Sequence, residues 1–291
     1  MTPPHLTKSA GIAFALCLPA LSSGALISFE NFGAYTGSGR LSTLTAPATP
    51  GYSGNWYDNS GSFGPTLKTP LVYGDAAYQL GSTGQSVGFS PSGSNGRNIR
   101  LFDGSLTATS GTTGTYYFSF LITQGGAQFQ NLELFSGGNA DANRTFYFGA
   151  TNNAGMDQTK YSFSAGGQSV QTPVTANAAV NLVVVKFTLS SVDLSDTVSV
   201  WVNPDLSNAM AGDSSSTPLT ISGANIAFDR LSLASFVTNN DNLQVGNLAW
   251  GTDFASVTVV PIPEPTSYAA IACGGVGLAA VIRRRKRRAS N

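Results

Sequence analysis

The sequence predicts an all-β protein of two packed antiparallel sheets, with a signal helix before it and a single transmembrane helix after it. Three observations predict this. Short alternating apolar runs recur through the centre, separated by Gly, Ser, Asn and Asp. No internal repeat, heptad pattern or amphipathic helix interrupts them. Two apolar stretches of targeting type, Ala10 to Leu21 and Thr266 to Ile282, stand at the chain ends.

The first element is an export signal. His5 and Lys8 precede the apolar run, and Ser23-Gly24-Ala25 supplies small residues at −3 and −1 of a cleavage site. Residues 1–25 are therefore expected to be removed between Ala25 and Leu26.

Residues 26–260 follow as one domain, within the size range of a single all-β sandwich. In Thr115 to Ile122, Tyr116, Phe118, Phe120 and Ile122 share one face, and Thr115, Tyr117 and Ser119 the other. In Thr197 to Asn203, Val198, Val200 and Val202 alternate with Ser199 and Trp201. Similar runs occur at Leu26–Phe32, Asn98–Phe102, Asn131–Phe135, Thr145–Gly149, Lys160–Ser164, Ile226–Phe236 and Leu243–Trp250. Asn181 to Leu189 is almost continuously apolar, as a strand buried on both faces would be. So many strands exceed one open twisted sheet, and a two-sheet jelly roll accommodates them. Leu41 to Pro70, rich in Thr, Pro, Gly and Ser, is expected to be a long irregular crossing carrying Trp56 and Tyr57.

Residues 261–291 have three parts. Pro261-Ile262-Pro263-Glu264-Pro265 resists helix and central strand, because each proline lacks an N–H and constrains its neighbour. Thr266 to Ile282 contains no charge and spans roughly 25 Å as a helix, at the short limit for a bilayer. The basic cluster Arg283, Arg284, Arg285, Lys286, Arg287 and Arg288 then fixes orientation, with the central domain outside.

The whole chain balances 15 basic against 15 acidic residues, but the distribution is segregated. Leu26 to Pro263 holds eight basic and fourteen acidic residues, net −6, so the processed molecule should be acidic and no nucleic-acid partner is expected. Cys17, Cys273 and His5 all lie in the terminal segments. The centre, with neither Cys nor His, holds no disulfide, no Ser-His-Asp triad and no His- or Cys-ligated zinc.

Pro263, Glu264 and Pro265, a short apolar helix and a terminal Arg cluster together resemble the PEP-CTERM sorting signal of Gram-negative bacteria. The resemblance implies that these three residues are recognised by a membrane-embedded exosortase. It further implies secretion-machinery export, a transient membrane anchor, and delivery to the cell surface or extracellular matrix. Asp196-Thr197-Val198-Ser199-Val200-Trp201-Val202-Asn203-Pro204-Asp205 resembles a strand and turn of PEP-CTERM ectodomains. Phe228-Asp229-Arg230-Leu231, followed by Asp241 to Gly246, is similar to their closing strands. Those ectodomains look like concanavalin A-like or laminin G-like jelly rolls, which implies a lectin-type sandwich in contact with exopolysaccharide.

Three chemistries are open to a centre of this composition. Glycoside hydrolysis needs two carboxylates flanking one bond, but the centre has only two glutamates, Glu30 and Glu133, far apart in sequence, which leaves the role to pairs of Asp. Glu133 reads as a solvent-facing residue between two inward leucines. The expectation is a protein without enzymatic activity and without a required cofactor; a polysaccharide-active enzyme on the same scaffold is the alternative. Calcium needs only oxygen ligands, and Asp193, Asp196, Asn203 and Asp205 are expected to converge if Val183–Leu189 and Thr197–Asn203 form a hairpin. The same residues equally fill turns. Glycan contact would fall to Trp56, Tyr57 and Trp201, whose rings can stack on sugar faces.

Overall fold

A computed structural model describes residues 24–59, 64–74, 84–89, 94–125, 130–150, 155–206, 217–237 and 243–258. The signal segment before Gly24, the Pro-Glu-Pro motif, the apolar span and the basic cluster lie outside the described residues. Among the described residues no helix is long and apolar enough to cross a membrane.

The described chain is all-β, in two antiparallel sheets. Its strands are β1 (Leu26–Glu30), β2 (Tyr52–Asp58), β3 (Thr66–Lys68), β4 (Ser86–Gly88), β5 (Ser94–Phe102), β6 (Gly114–Thr123), β7 (Gln130–Phe135) and β8 (Arg144–Ala150). They continue with β9 (Lys160–Ala165), β10 (Gln168–Thr175), β11 (Asn181–Leu189), β12 (Asp196–Val202), β13 (Leu219–Ala224), β14 (Arg230–Val237) and β15 (Gln244–Gly251). One short helix, α1 (Phe254–Thr258), follows. Sheet A runs β13-β12-β11-β6-β15-β4-β3, with β1 also on β15; sheet B runs β10-β9-β8-β7-β14-β5-β2.

The alternation read from the sequence decides what lies between the sheets. Phe118, Phe120 and Ile122 of β6, and Val183, Val185 and Phe187 of β11, face Leu132, Leu134, Phe146, Phe148, Leu231 and Leu233 of sheet B in one core. Trp250 lies at its centre, stacked on Phe118 at 4.1 Å and edge-on to Phe102 at 5.3 Å. On β15, Val245 and Leu248 are three residues apart, yet both join this core. Strict alternation would send one of them outward. A register shift between Gly246 and Ala249, with Asn247 at φ 50°, absorbs the extra residue.

Two short strands share the far edge of β15. Ser86–Gly88 pairs with Gln244–Gly246, and Leu26–Glu30 with Leu248–Gly251. The start and end of the described domain therefore lie side by side.

The outer face of sheet A is closed. Tyr117, Leu121, Leu182, Val184, Trp201 and Ala249 form a second apolar cluster with Phe254 and Val257 of α1. This is why β11 is apolar on both faces.

The segment from Leu41 to Pro70 is more regular than its composition predicts. It contains β2 and β3, and Tyr52 and Trp56 join the main core. Gly54 at φ 69° and a register shift between Ser53 and Tyr57 bend β2, hiding its strand pattern in the sequence.

Candidate functional site

Strand alternation on sheet B points Leu132 and Leu134 inward, so Glu133 between them points outward. On β5, Asn98 and Arg100 lie opposite the inward Leu233 and Leu231, so Arg97 points outward as well. Arg97 and Glu133 sit on strands separated by β14, where Ala234 and Ser232 are the residues directly opposite them. Both are small, and the arginine side chain can lie across them. Its Nε donates to Glu133 Oε2 at 2.7 Å, and Nη2 reaches Oε1 at 3.4 Å. Phe135 and Phe236 flank the guanidinium at 5.2 and 4.8 Å.

Arg144, the first residue of β8, donates from Nη1 to Glu133 Oε1 at 2.7 Å. The loop before it folds back, with Ser136 N donating to Asn143 O at 3.0 Å and Asn143 N to Ala140 O at 2.8 Å. That turn brings Asp141 onto Arg97 Nη2. Glu133 is thus gripped by two guanidinium groups and is 0% exposed, whereas the side chain of Asp141 is 71% exposed. The expectation that Glu133 faces solvent is corrected: its direction is outward, but the two arginines enclose it. Burial works against the charge of Arg97, yet the hydrogen bond and charge of Glu133, with Asp141, raise its pKa above the ordinary value.

A second polar group adjoins the first. Arg230 pairs with Asp229 through Nε at 2.7 Å and donates from Nη1 to Asn139 Oδ1 at 2.7 Å. Burial opposes the ionised form of Asp229, but the Arg230 hydrogen bond and the Gly137 amide outweigh it and hold its pKa below the usual value. Tyr57 reaches the same Asn139 Oδ1 from its hydroxyl at 3.3 Å. It is the one glycan candidate that the structure leaves partly exposed on this face.

The other two candidates are corrected. Trp56 is 1% exposed and donates from Nε1 to Tyr35 Oη at 3.1 Å inside the core. Trp201 is 4% exposed, on the outer face of sheet A beneath Phe254, whose ring lies edge-on at 5.7 Å. Neither ring offers a face for a sugar to stack on. Alternation placed Trp201 correctly opposite the valines, but it gave no sign of the covering helix.

The calcium expectation fails on topology. β11 and β12 do form a hairpin, pairing Thr188 with Thr197 and Val183 with Val202. Asp193 and Asp196 therefore stand at its turn, while Asn203 and Asp205 follow its open end. Six residues of β12 lie between Asp196 and Asn203, about 20 Å of extended chain. Asp196 caps backbone instead, accepting from Ser190 N at 2.7 Å and Ile226 N at 2.6 Å. Asp193 accepts from Asn225 Nδ2 at 2.7 Å, and Asn203 Oδ1 accepts from Leu182 N at 3.0 Å. Among the described residues no three of His, Cys, Asp and Glu gather as a metal-holding group.

At the signal-cleavage position, Ala25 N donates to Thr252 Oγ1 at 2.8 Å and Ala25 O accepts from Thr252 N at 3.1 Å. Leu26 begins β1 opposite Gly251.

Glu30 was not legible as a buried residue. It reaches from β1 to the inner face of sheet B, where Arg100 Nη1 donates to its Oε2. Glu30 and Glu133 thus lie on opposite faces of sheet B, and no single glycosidic bond fits between them.

Fold and site define the class: a two-sheet antiparallel β-sandwich with one outer face sealed by apolar side chains and the other carrying ion-paired polar groups. No family model matches the chain, and no curated protein matches it in sequence. Among solved structures it is similar to the binding domain of botulinum neurotoxin serotype G, at 6% identity and TM-score 0.42 over 80% of this chain. It spans about half, 50%, of that domain's length. A protein of unknown function from Shewanella oneidensis is similar at 11% identity and TM-score 0.42, covering 87% of this chain and 99% of that one. A GH131 β-glucanase catalytic domain from Podospora anserina is similar at 15% identity and TM-score 0.34, over 66% and 88%. Likenesses of this strength carry nothing about ligand or activity.

Proposed function

We propose that this chain is an exported bacterial surface protein, sorted through a PEP-CTERM signal and serving the extracellular matrix without catalysis, through weak contact with glycan. The observation that carries the reading is the ordered tail: Pro263-Glu264-Pro265, then a charge-free apolar segment, then Arg283 to Arg288. An extended proline-rich stretch stays out of helix and sheet, open to the groove of a processing enzyme. The central sandwich, a jelly roll of lectin type on this reading, is the cargo.

The positions of Glu30 and Glu133 support the non-enzymatic part, since both carboxylates are buried and committed to arginines. Replacing Glu264 with Ala in a strain carrying an exosortase tests the sorting. The variant should accumulate as the unprocessed, membrane-held form; unchanged mature size and surface location would overturn the reading.

A further inference from the structure

The charged side chains on the outer face of sheet B are balanced. Arg97 and Arg144 meet Glu133 and Asp141, Arg230 meets Asp229, and Lys160 meets Asp157 at 3.9 Å. In a domain whose overall balance is acidic, the ion-paired side chains described on this face sum to no net charge. Beside the Glu133 cluster opens a cleft of about 210 Å³, lined by Asp141, Arg144, Tyr147, Ser164, Gly166 and Gly167.

We propose that this cleft binds an uncharged polysaccharide through its hydroxyl groups, with Asp141 as the principal acceptor. The proposal rests on the surface-protein reading above and deepens it by naming the ligand class. An ionised carboxylate accepts hydroxyl protons at several lone pairs. Asp141 is held by Arg97, with Arg144 Nη1 4.0 Å away, so little side-chain freedom remains to be lost on binding. A uronate, sulfate or phosphate would meet Asp141 as a like charge, and the arginines are already matched.

A further unused polar group lies on the same sheet, outside the cleft lining. Asn131, two residues from Glu133 on β7, is fully buried, yet neither Oδ1 nor Nδ2 has a hydrogen-bond partner. Buried amides are rarely left so.

The test uses the exported full-length chain, recovered in detergent, on immobilised neutral glucans and galactomannans and on polygalacturonate and alginate. We expect retention on a neutral polymer, insensitive to salt because no net charge is engaged, and none on the anionic ones. Asp141→Ala should weaken retention about tenfold or more. Asp141→Lys should abolish it and create salt-sensitive retention on the anionic polymers. The Asp141 side chain is largely exposed, and an unchanged melting temperature would establish that both variants fold. The proposal is overturned by no retention on any neutral polymer, by salt-sensitive anionic retention of the unaltered chain, or by an indifferent Asp141→Ala. Since the Glu264→Ala experiment reads only the tail, a correctly sorted chain that retains no neutral polymer sinks this inference alone.

Discussion

Arg100 and Glu30 form an ion pair between the two sheets, with their side chains 1% and 3% exposed. The remaining donors and acceptors of the pair are used to hold the long crossing. Arg100 Nε donates to Gly54 O at 3.3 Å and Nη2 to Pro47 O at 3.0 Å, with the guanidinium over the Tyr52 ring at 4.7 Å. Glu30 Oε1 accepts from Phe32 N at 3.0 Å, and Oε2 accepts from Tyr35 Oη at 3.2 Å. One strand of each sheet and the crossing between them are thereby tied at one point.

Removing one partner should therefore cost much more than a surface ion pair would. Arg100→Met strands a buried carboxylate, and Glu30→Gln strands a buried guanidinium; each should destabilise the fold by about 3–5 kcal/mol. The double variant should cost less than the sum of the two singles, because it leaves neither charge unpaired. Denaturant midpoints of the four proteins measure this. Strict additivity would mean that the pair itself contributes nothing.

The same contrast separates what the sequence made legible from what it did not. Asn181–Leu189 was readable as a doubly buried strand, and the inward face of Thr115 to Ile122 follows from alternation alone, because period two is a local property. β2 was not readable, since Gly54 and the register shift break its alternation. β3 and β4, of three residues each, are too short to show a period. β10 carries Pro173, which argues against a strand unless it lies at an edge, and it does lie at the edge of sheet B. The site was hidden for another reason. Whether Glu133 meets water depends on Arg97, two strands away, and whether Trp201 does depends on Phe254, fifty-three residues later. Neither separation leaves a trace in a local pattern.

Alkaline pH should weaken the fold through three tyrosines. Burial, the largest cause in each, raises the pKa of Tyr35, Tyr52 and Tyr161 well above the ordinary 10.0, and the charge of Glu30 adds to the first two. A group whose folded pKa is raised contributes stability below its unfolded pKa and loses it as pH rises beyond that value. Stability should hence be level up to about pH 10 and fall above it, as the unfolded chain ionises tyrosines that the fold keeps protonated. Tyr161→Phe should make the fall shallower. Melting temperatures across the alkaline range check this; identical slopes for the two proteins would contradict it.

Phe254 is the lid over the outer face of sheet A. It is fully buried, with its ring edge-on to both Trp201 at 5.7 Å and Tyr117 at 6.4 Å. Phe254→Ala should destabilise the fold by about 3–5 kcal/mol. It should also shift tryptophan emission to the red as Trp201 meets water, while Trp56 and Trp250 stay in the main core. Repeating the substitution with Trp201→Phe already present separates the sources, since the shift should then vanish.

Asn131 should repay substitution. Its carboxamide is buried without partners, and a Cβ added at the neighbouring Gly149 would fall 2.6 Å from its Oδ1 and 2.0 Å from Gln130 O. The glycine therefore leaves the space that the amide fills. An unsatisfied buried amide costs about 1–3 kcal/mol, and an apolar group of similar shape removes that cost without opening a cavity. Asn131→Leu should accordingly raise stability by about 1–2 kcal/mol, whereas Gly149→Ala should lower it by forcing the β7 backbone away. If the outer face of sheet B handles hydroxyl-rich polymer, Asn131→Leu should be more stable and yet retain neutral polysaccharide less well. Greater stability with undiminished retention would confine the binding groups to the Asp141 side of the face.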